Sequence, residues 1–249
     1  MMQGSTAACR DSAASRLENF TQTQWTQVTL AAQRDGSEAA RAALEALCAR
    51  YWRSIYGFLR RQGHLPADAE DLTQGFFADL LSPNSLQCAD RSKGRFRNFL
   101  LGALKRFLAD RHRHVTAAKR GPGKQVLALD FAEVEKEYLE EVDPSLTAEQ
   151  AFDRQWAATV LASAYQELQA ELARAGQAAR FQELSLFLSG AGTEAEYSVV
   201  AERLGIAAGS VPVAVCRLRE RYRNLVRVKV LATVAGPEEV SAEFRALFN

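Results

Sequence analysis

The chain has 249 residues, 47% of them hydrophobic and 24% charged, with a formal net charge of +1, which suits two modest domains and leaves no ground for wholesale disorder. No apolar run approaches the roughly 20 residues of a membrane helix, and residues 1–11 lack the basic-then-apolar order of a secretory leader, so a cytoplasmic protein with no membrane partner is expected. Cys9, Cys48, Cys88 and Cys216 form no C-x-x-C pair, so neither a disulfide framework nor a zinc ribbon is signalled, and the cysteines read as reduced and structural.

Residues 1–19 are small and polar without an apolar period, which predicts a mobile arm, with order beginning near Phe20. From there to Thr116 the pattern is helical, broken at Asp35-Gly36, Gly63-His64-Leu65-Pro66 and Ser82-Pro83-Asn84. About four helices follow, a first domain over 20–118. Ala43, Leu44, Leu47, Tyr51, Ile55, Phe58 and Leu59 recur at helical spacing and predict one buried stripe. Pro66 opens the next helix, with Asp68, Glu70 and Asp71 where the helix dipole favours anions. Leu72, Phe76 and Leu80 are its predicted buried side.

Arg120-Gly121-Pro122-Gly123-Lys124 then breaks the pattern, and Asp130 to Asp153 carries nine acids against Lys136 alone. Residues 119–147 read as an acidic linker. Such a run is a solvated face, or a nucleic-acid mimic able to occupy a basic channel. A second helical domain is predicted over 148–231, divided at Gly176, Gly190-Ala191-Gly192 and Gly205. Over 232–249 a short extension sets Val240, Phe244, Leu247 and Phe248 on one side, to dock back or to bind a partner. The fold class is therefore all-α, two helical domains joined by an acidic linker.

Two cationic clusters carry the chemistry. Glu196 to Val226 has a helix-turn-helix layout: Val199, Val200 and Leu204 as the buried side of a first helix, Gly205 at the turn, Ile206 in the corner. Ser210 caps a second helix that buries Val211, Val215, Leu218, Tyr222 and Leu225 and leaves Arg217, Arg219, Arg221 and Arg223 for water or phosphate. Over 201–231 seven basic residues oppose Glu202 and Glu220. The other cluster, Arg91 to Lys124, sets eleven basic residues against Asp110 alone, with Phe96, Phe99 and Phe107 interleaved. Cations with aromatic rings suit single-stranded nucleic acid, though Phe107, between Leu104 and Leu108, reads as core.

These segments resemble, in order, those of an ECF-type sigma factor. Asp68-Ala69-Glu70-Asp71-Leu72-Thr73-Gln74 is similar to the family's core-binding signature, the stretch from Gly94 to Arg113 to its promoter-melting, minus-ten-reading segment, and the helix from Ser210 to Arg223 to its minus-thirty-five reader. The resemblance covers about Phe20 to Leu231. It implies a region-2-like bundle, a region-4-like helix-turn-helix domain, and a factor that binds bacterial core RNA polymerase and promoter DNA, without cofactor, metal or catalytic site. Asp68, Glu70, Asp71 and Gln74 would then meet polymerase. Arg95, Phe96, Arg97, Phe99, Lys105, Arg106 and Arg113 would meet the melted minus-ten region, and Ser210, Arg217, Arg219 and Arg223 the upstream element.

The sequence departs from the family at Gly75, where an acid is common, at Pro212, where a basic residue is common, and in its longer, more acidic linker. Thr73 replaces an apolar residue beside the missing acid. Phosphorylated, it would add about −1.5 to −2 of charge where the polymerase clamp expects anions, which suggests activation by a Ser/Thr kinase, a partner associated with one subgroup of the family. The competing reading of Thr73 is an inert helix-surface residue. The competing reading of the whole chain is a helix-turn-helix regulator of duplex DNA that needs no polymerase. An enzyme is disfavoured: no Walker loop, G-x-G-x-x-G, H-E-x-x-H or G-x-S-x-G occurs, and His112 and His114 diverge on a helix.

Overall fold

The computed structural model describes residues 38–80, 95–115, 129–141, 143, 145–234 and 236–248. The expected arm, the breaks at Asp35-Gly36 and Ser82-Pro83-Asn84, and Arg91, Lys93, Lys119, Arg120 and Lys124 lie outside those residues. Among the described residues the regular elements are all helical: α1 (Glu38–Arg61), α2 (Pro66–Leu80), α3 (Phe96–Val115), α4 (Phe131–Glu141), α5 (Ala148–Arg174), α6 (Ala178–Ser185), α7 (Glu194–Leu204), α8 (Ser210–Leu231), a 3-10 turn (Pro237–Glu239) and α9 (Val240–Phe248). None of them is long and apolar enough to cross a membrane.

Two compact units result, one of Met1–Thr159 with Val230–Asn249, the other Val160–Lys229. The boundary expected before residue 148 therefore falls at 160, inside α5, and the segment expected as a separate extension belongs to the first unit.

In the first unit, α1 buries Leu47, Tyr51, Ile55, Phe58 and Leu59 as the apolar spacing predicts, and Cys48, Trp52 and Tyr56 as well. Burial and the nearby Glu45 push the Cys48 thiol up to about 12, which keeps it protonated and inert. The helix stops at Gly63, whose φ of 90° suits a residue without a Cβ. Pro66 then begins α2, where its missing N–H is no loss. Gly75 faces α3: a Cβ there would lie 3.3 Å from Phe107 Cζ and 3.0 Å from Arg111 Nη1. Its small size lets α2 approach α3.

Within the stretch expected as an acidic linker, residues 131–141 are instead a helix packed on α1. Phe131 meets the Trp52 ring edge-on at 5.0 Å, and Phe131 and Val134 are buried. Glu135 accepts from Tyr56 Oη at 2.6 Å and from Arg60 Nε and Nη2 at 2.8 and 2.7 Å, while the Arg60 guanidinium lies 5.1 Å from the Tyr138 ring centroid. The composition is acidic, but Phe131, Val134 and Tyr138 recur at three and four residues and supply a face.

Thr147 and Gln150 close a reciprocal cap at the start of α5, Gln150 N to Thr147 Oγ1 at 3.2 Å and Thr147 N to Gln150 Oε1 at 2.8 Å. Beyond it Phe152 and Trp156 enter the core, where Trp156 stacks on Tyr51 at 4.2 Å. The C-terminal segment docks back into this unit. Thr233 O accepts from Phe96 N at 3.0 Å, Val234 is fully buried, and α9 inserts the carboxylate of Glu243.

The second unit packs Leu168, Leu172, Phe181, Leu184, Phe187, Val200, Ala201, Val211, Ala214, Val215 and Leu218 into one core. Thr193 and Glu196 form a capping box that starts α7, and Gly205 ends it in the left-handed region at φ 63° and ψ 35°. Ile206 N returns to Ala201 O at 3.0 Å, so the chain turns at once toward α8.

Candidate nucleic-acid interface

A helix, a turn and a second helix are built by α7, the Gly205 turn and α8, which lie in the second unit up to Lys229. Val200, Val211, Val215 and Leu218 are buried and Leu204, Tyr222 and Leu225 half-buried, as expected. Val199 is the exception at 47% exposed, since α7 turns only a narrow face inward. α8 begins on Ser210 itself, and Pro212 occupies its first turn, where its missing N–H costs no intrahelical hydrogen bond. Opposite the buried stripe, Val213, Cys216, Arg217, Glu220, Arg223, Asn224 and Arg227 are exposed.

The arginines of α8 divide by what they touch. Arg217, Arg223 and Arg227 make no ion pair among the described residues and remain exposed. Arg221 pairs with Glu171 at 2.7 Å. Arg219 corrects its assignment to DNA: its Nε and Nη2 donate to Phe187 O at 2.9 and 2.5 Å, and Nη2 donates also to Gly190 O. Both carbonyls lie in the loop between α6 and α7, so Arg219 holds that loop in place. Val213, Cys216, Glu220, Asn224 and Arg227, to which the sequence reading gives no DNA contact, share this face because at 100° per residue from Val211 all five fall opposite the buried stripe.

On the first unit the cluster of α3 divides in the same way. Lys105, Arg106, His112 and Arg113 are exposed around Gly102 and Ala109, a low-relief cationic surface. Lys105 pairs with Glu149 at 2.7 Å and Arg113 with Asp110. Both pairs are largely solvated, so each is worth at most about 1 kcal/mol and yields readily to phosphate.

Two residues at the start of α3 correct their promoter assignment. Phe96 is 2% exposed, packed 5.4 Å from the Tyr51 ring and 6.3 Å from Trp156, with no face for a base. Arg97 is 6% exposed; it donates to Glu243 Oε1 at 2.6 Å and Oε2 at 3.2 Å, and also to Asp153. Burial alone would pull the Arg97 guanidinium down, but these two carboxylates outweigh it and hold the charge firmly on. Arg95 reaches the same Glu243 at 2.9 Å from a half-buried position. Phe99, stacked at 5.9 Å on Phe96, keeps part of its ring exposed.

On α2, Asp68, Asp71 and Asp79 are exposed and Glu70 and Gln74 half-buried. Thr73 corrects both of its readings. It is fully buried, and its hydroxyl donates to Ala69 O at 2.7 Å. A kinase meets no surface hydroxyl there. No family model, curated protein or solved structure matches the chain. Among the described residues no group of histidine, cysteine and acidic side chains has the geometry of a metal site.

Proposed function

We propose that this chain is a sigma-type initiation factor, which engages bacterial core RNA polymerase through α2 and meets promoter DNA with α3 and α8. The observation that carries the reading is the outward face of α8, where Arg217, Arg223 and Arg227 stand exposed and unpaired on the second helix of a tight αL-Gly turn. Cations left free on that face are placed to meet a polyanion in the major groove. The contacts to melted strand rest on Phe99, Lys105, Arg106 and Arg113, with Arg95 at their edge. Asp68, Glu70, Asp71 and Gln74 supply the acidic polymerase contact.

The burial of Phe96 and Arg97 favours a second reading, a regulator that binds duplex DNA alone, because it removes a ring and a cation from the single-strand surface. Transcription with purified core polymerase on fragmented genomic DNA, beside duplex binding without polymerase, separates them. Defined transcripts that require the chain, with weak binding to free duplex, support the sigma reading. Tight specific duplex binding without association to core enzyme replaces it with the regulator.

A further inference from the structure

The charged residues on the outward face of α8 are Arg217, Arg223 and Arg227, with a single acid, Glu220, among them. Glu220 follows Cys216 and Arg217 by one turn and precedes Arg223 and Asn224 by one turn, so it is in the middle of the exposed face. Three other acids of this unit are paired: Glu171 with Arg221 at 2.7 Å, Glu183 with Arg203 at 3.1 Å, Glu167 with Lys229 at 2.5 Å. Glu220 has arginines three residues away on either side, yet makes no ion pair among the described residues.

A carboxylate on a surface that meets DNA is repelled by phosphate and loses its hydration on contact. A base-edge donor in the groove compensates for both. In the major groove cytosine offers an amino donor with no acceptor beside it, adenine sets its amino group next to the N7 acceptor, and guanine and thymine present acceptors. Resting on the duplex-reading role proposed above, we infer that Glu220 is a specificity-determining residue that accepts a hydrogen bond from the exocyclic amine of a cytosine in the bound duplex. Its position fits base contact better than phosphate contact, since the helix rims, where Arg221 and Arg219 lie, are nearer the strands. One turn earlier, Arg217 supplies the donor fork that guanine accepts.

The test is selection from a duplex library randomised over the upstream region, using the full-length chain both alone and with bacterial core polymerase. Wild type, Glu220→Ala and Glu220→Gln are compared, with circular dichroism to confirm helix content. Wild type is expected to enrich cytosine at one position by about tenfold or more. Glu220→Ala flattens that position while raising affinity for the unselected library, because a negative charge has left the face. Glu220→Gln shifts the position toward adenine, whose N6 and N7 a glutamine amide matches. The same base preference in all three proteins overturns the assignment of Glu220 and leaves duplex reading standing. If wild type enriches no sequence in either setting, the duplex-reading role fails together with the inference.

Discussion

The hydroxyl of Thr73 is enclosed beneath α2 and bonded to Ala69 O at 2.7 Å. A negative charge at that position would be buried away from water. Thr73→Glu is therefore expected to lose more than about 3 kcal/mol of stability by urea unfolding, and Thr73→Ala about 1 kcal/mol; neither is expected to raise polymerase binding. Glu135 is governed by the opposite balance. Burial pushes its carboxyl up, but hydrogen bonds from Arg60 and Tyr56 outweigh that and leave it below the ordinary 4.5. A depressed carboxylate stabilises the fold above its unfolded-state pKa and loses that contribution as pH falls through the folded value. The urea midpoint of wild type should exceed that of Glu135→Gln at pH 7, and the gap should close as pH falls below about 4.5. Arg97 also belongs to this scale: sequence shows a cation next to aromatic rings, and only the arrival of Asp153 and Glu243 from elsewhere in the chain turns it inward.

Among the elements, α7 shows how local signals place a functional helix. Thr193-Glu194-Ala195-Glu196 matches the capping-box pattern at one end, and Gly205 supplies the left-handed stop at the other. Together they fix where α8 starts. Thr193→Ala removes the side-chain oxygen that accepts from Glu196 N, and is expected to lower stability by about 1 kcal/mol in thermal or urea unfolding. The sequence carries both ends of α7, the C-terminal one in Gly205 and the N-terminal one in the spacing of Thr193 and Glu196. The helix α4 was obscured by composition. Its acids at 133, 135, 137, 140 and 141 dominate the count, while three side chains, Phe131, Val134 and Tyr138, decide its packing.

At the scale of the molecule, the charge that matters is the part left unpaired by folding. Of the seven basic residues over 201–231, Arg221, Arg203 and Lys229 are spent on carboxylates and Arg219 on backbone carbonyls. Arg217, Arg223 and Arg227 stay available. On the proposed sigma reading, if they meet phosphate or bases, promoter affinity of the complex with core polymerase falls steeply with salt, and replacing Arg223 by Ala lowers the log–log slope by about 0.9. Arg219→Ala should leave that slope nearly unchanged and instead reduce the thermal stability of the chain. A filter-binding salt series beside a melting curve for the two variants checks both outcomes.

Sequence alone determined that the chain is helical, where α1, α2 and the helix-turn-helix lie, and which apolar side chains line them, because helical period, proline, glycine and capping residues act within a few positions of one another. The inward turn of Phe96 and Arg97, the burial of Thr73, the packing role of Gly75 and the return of α9 with Glu243 needed the tertiary structure. Each depends on a partner tens of residues away or on the neighbouring helix, and no local period records whether such a partner will come to meet a given face.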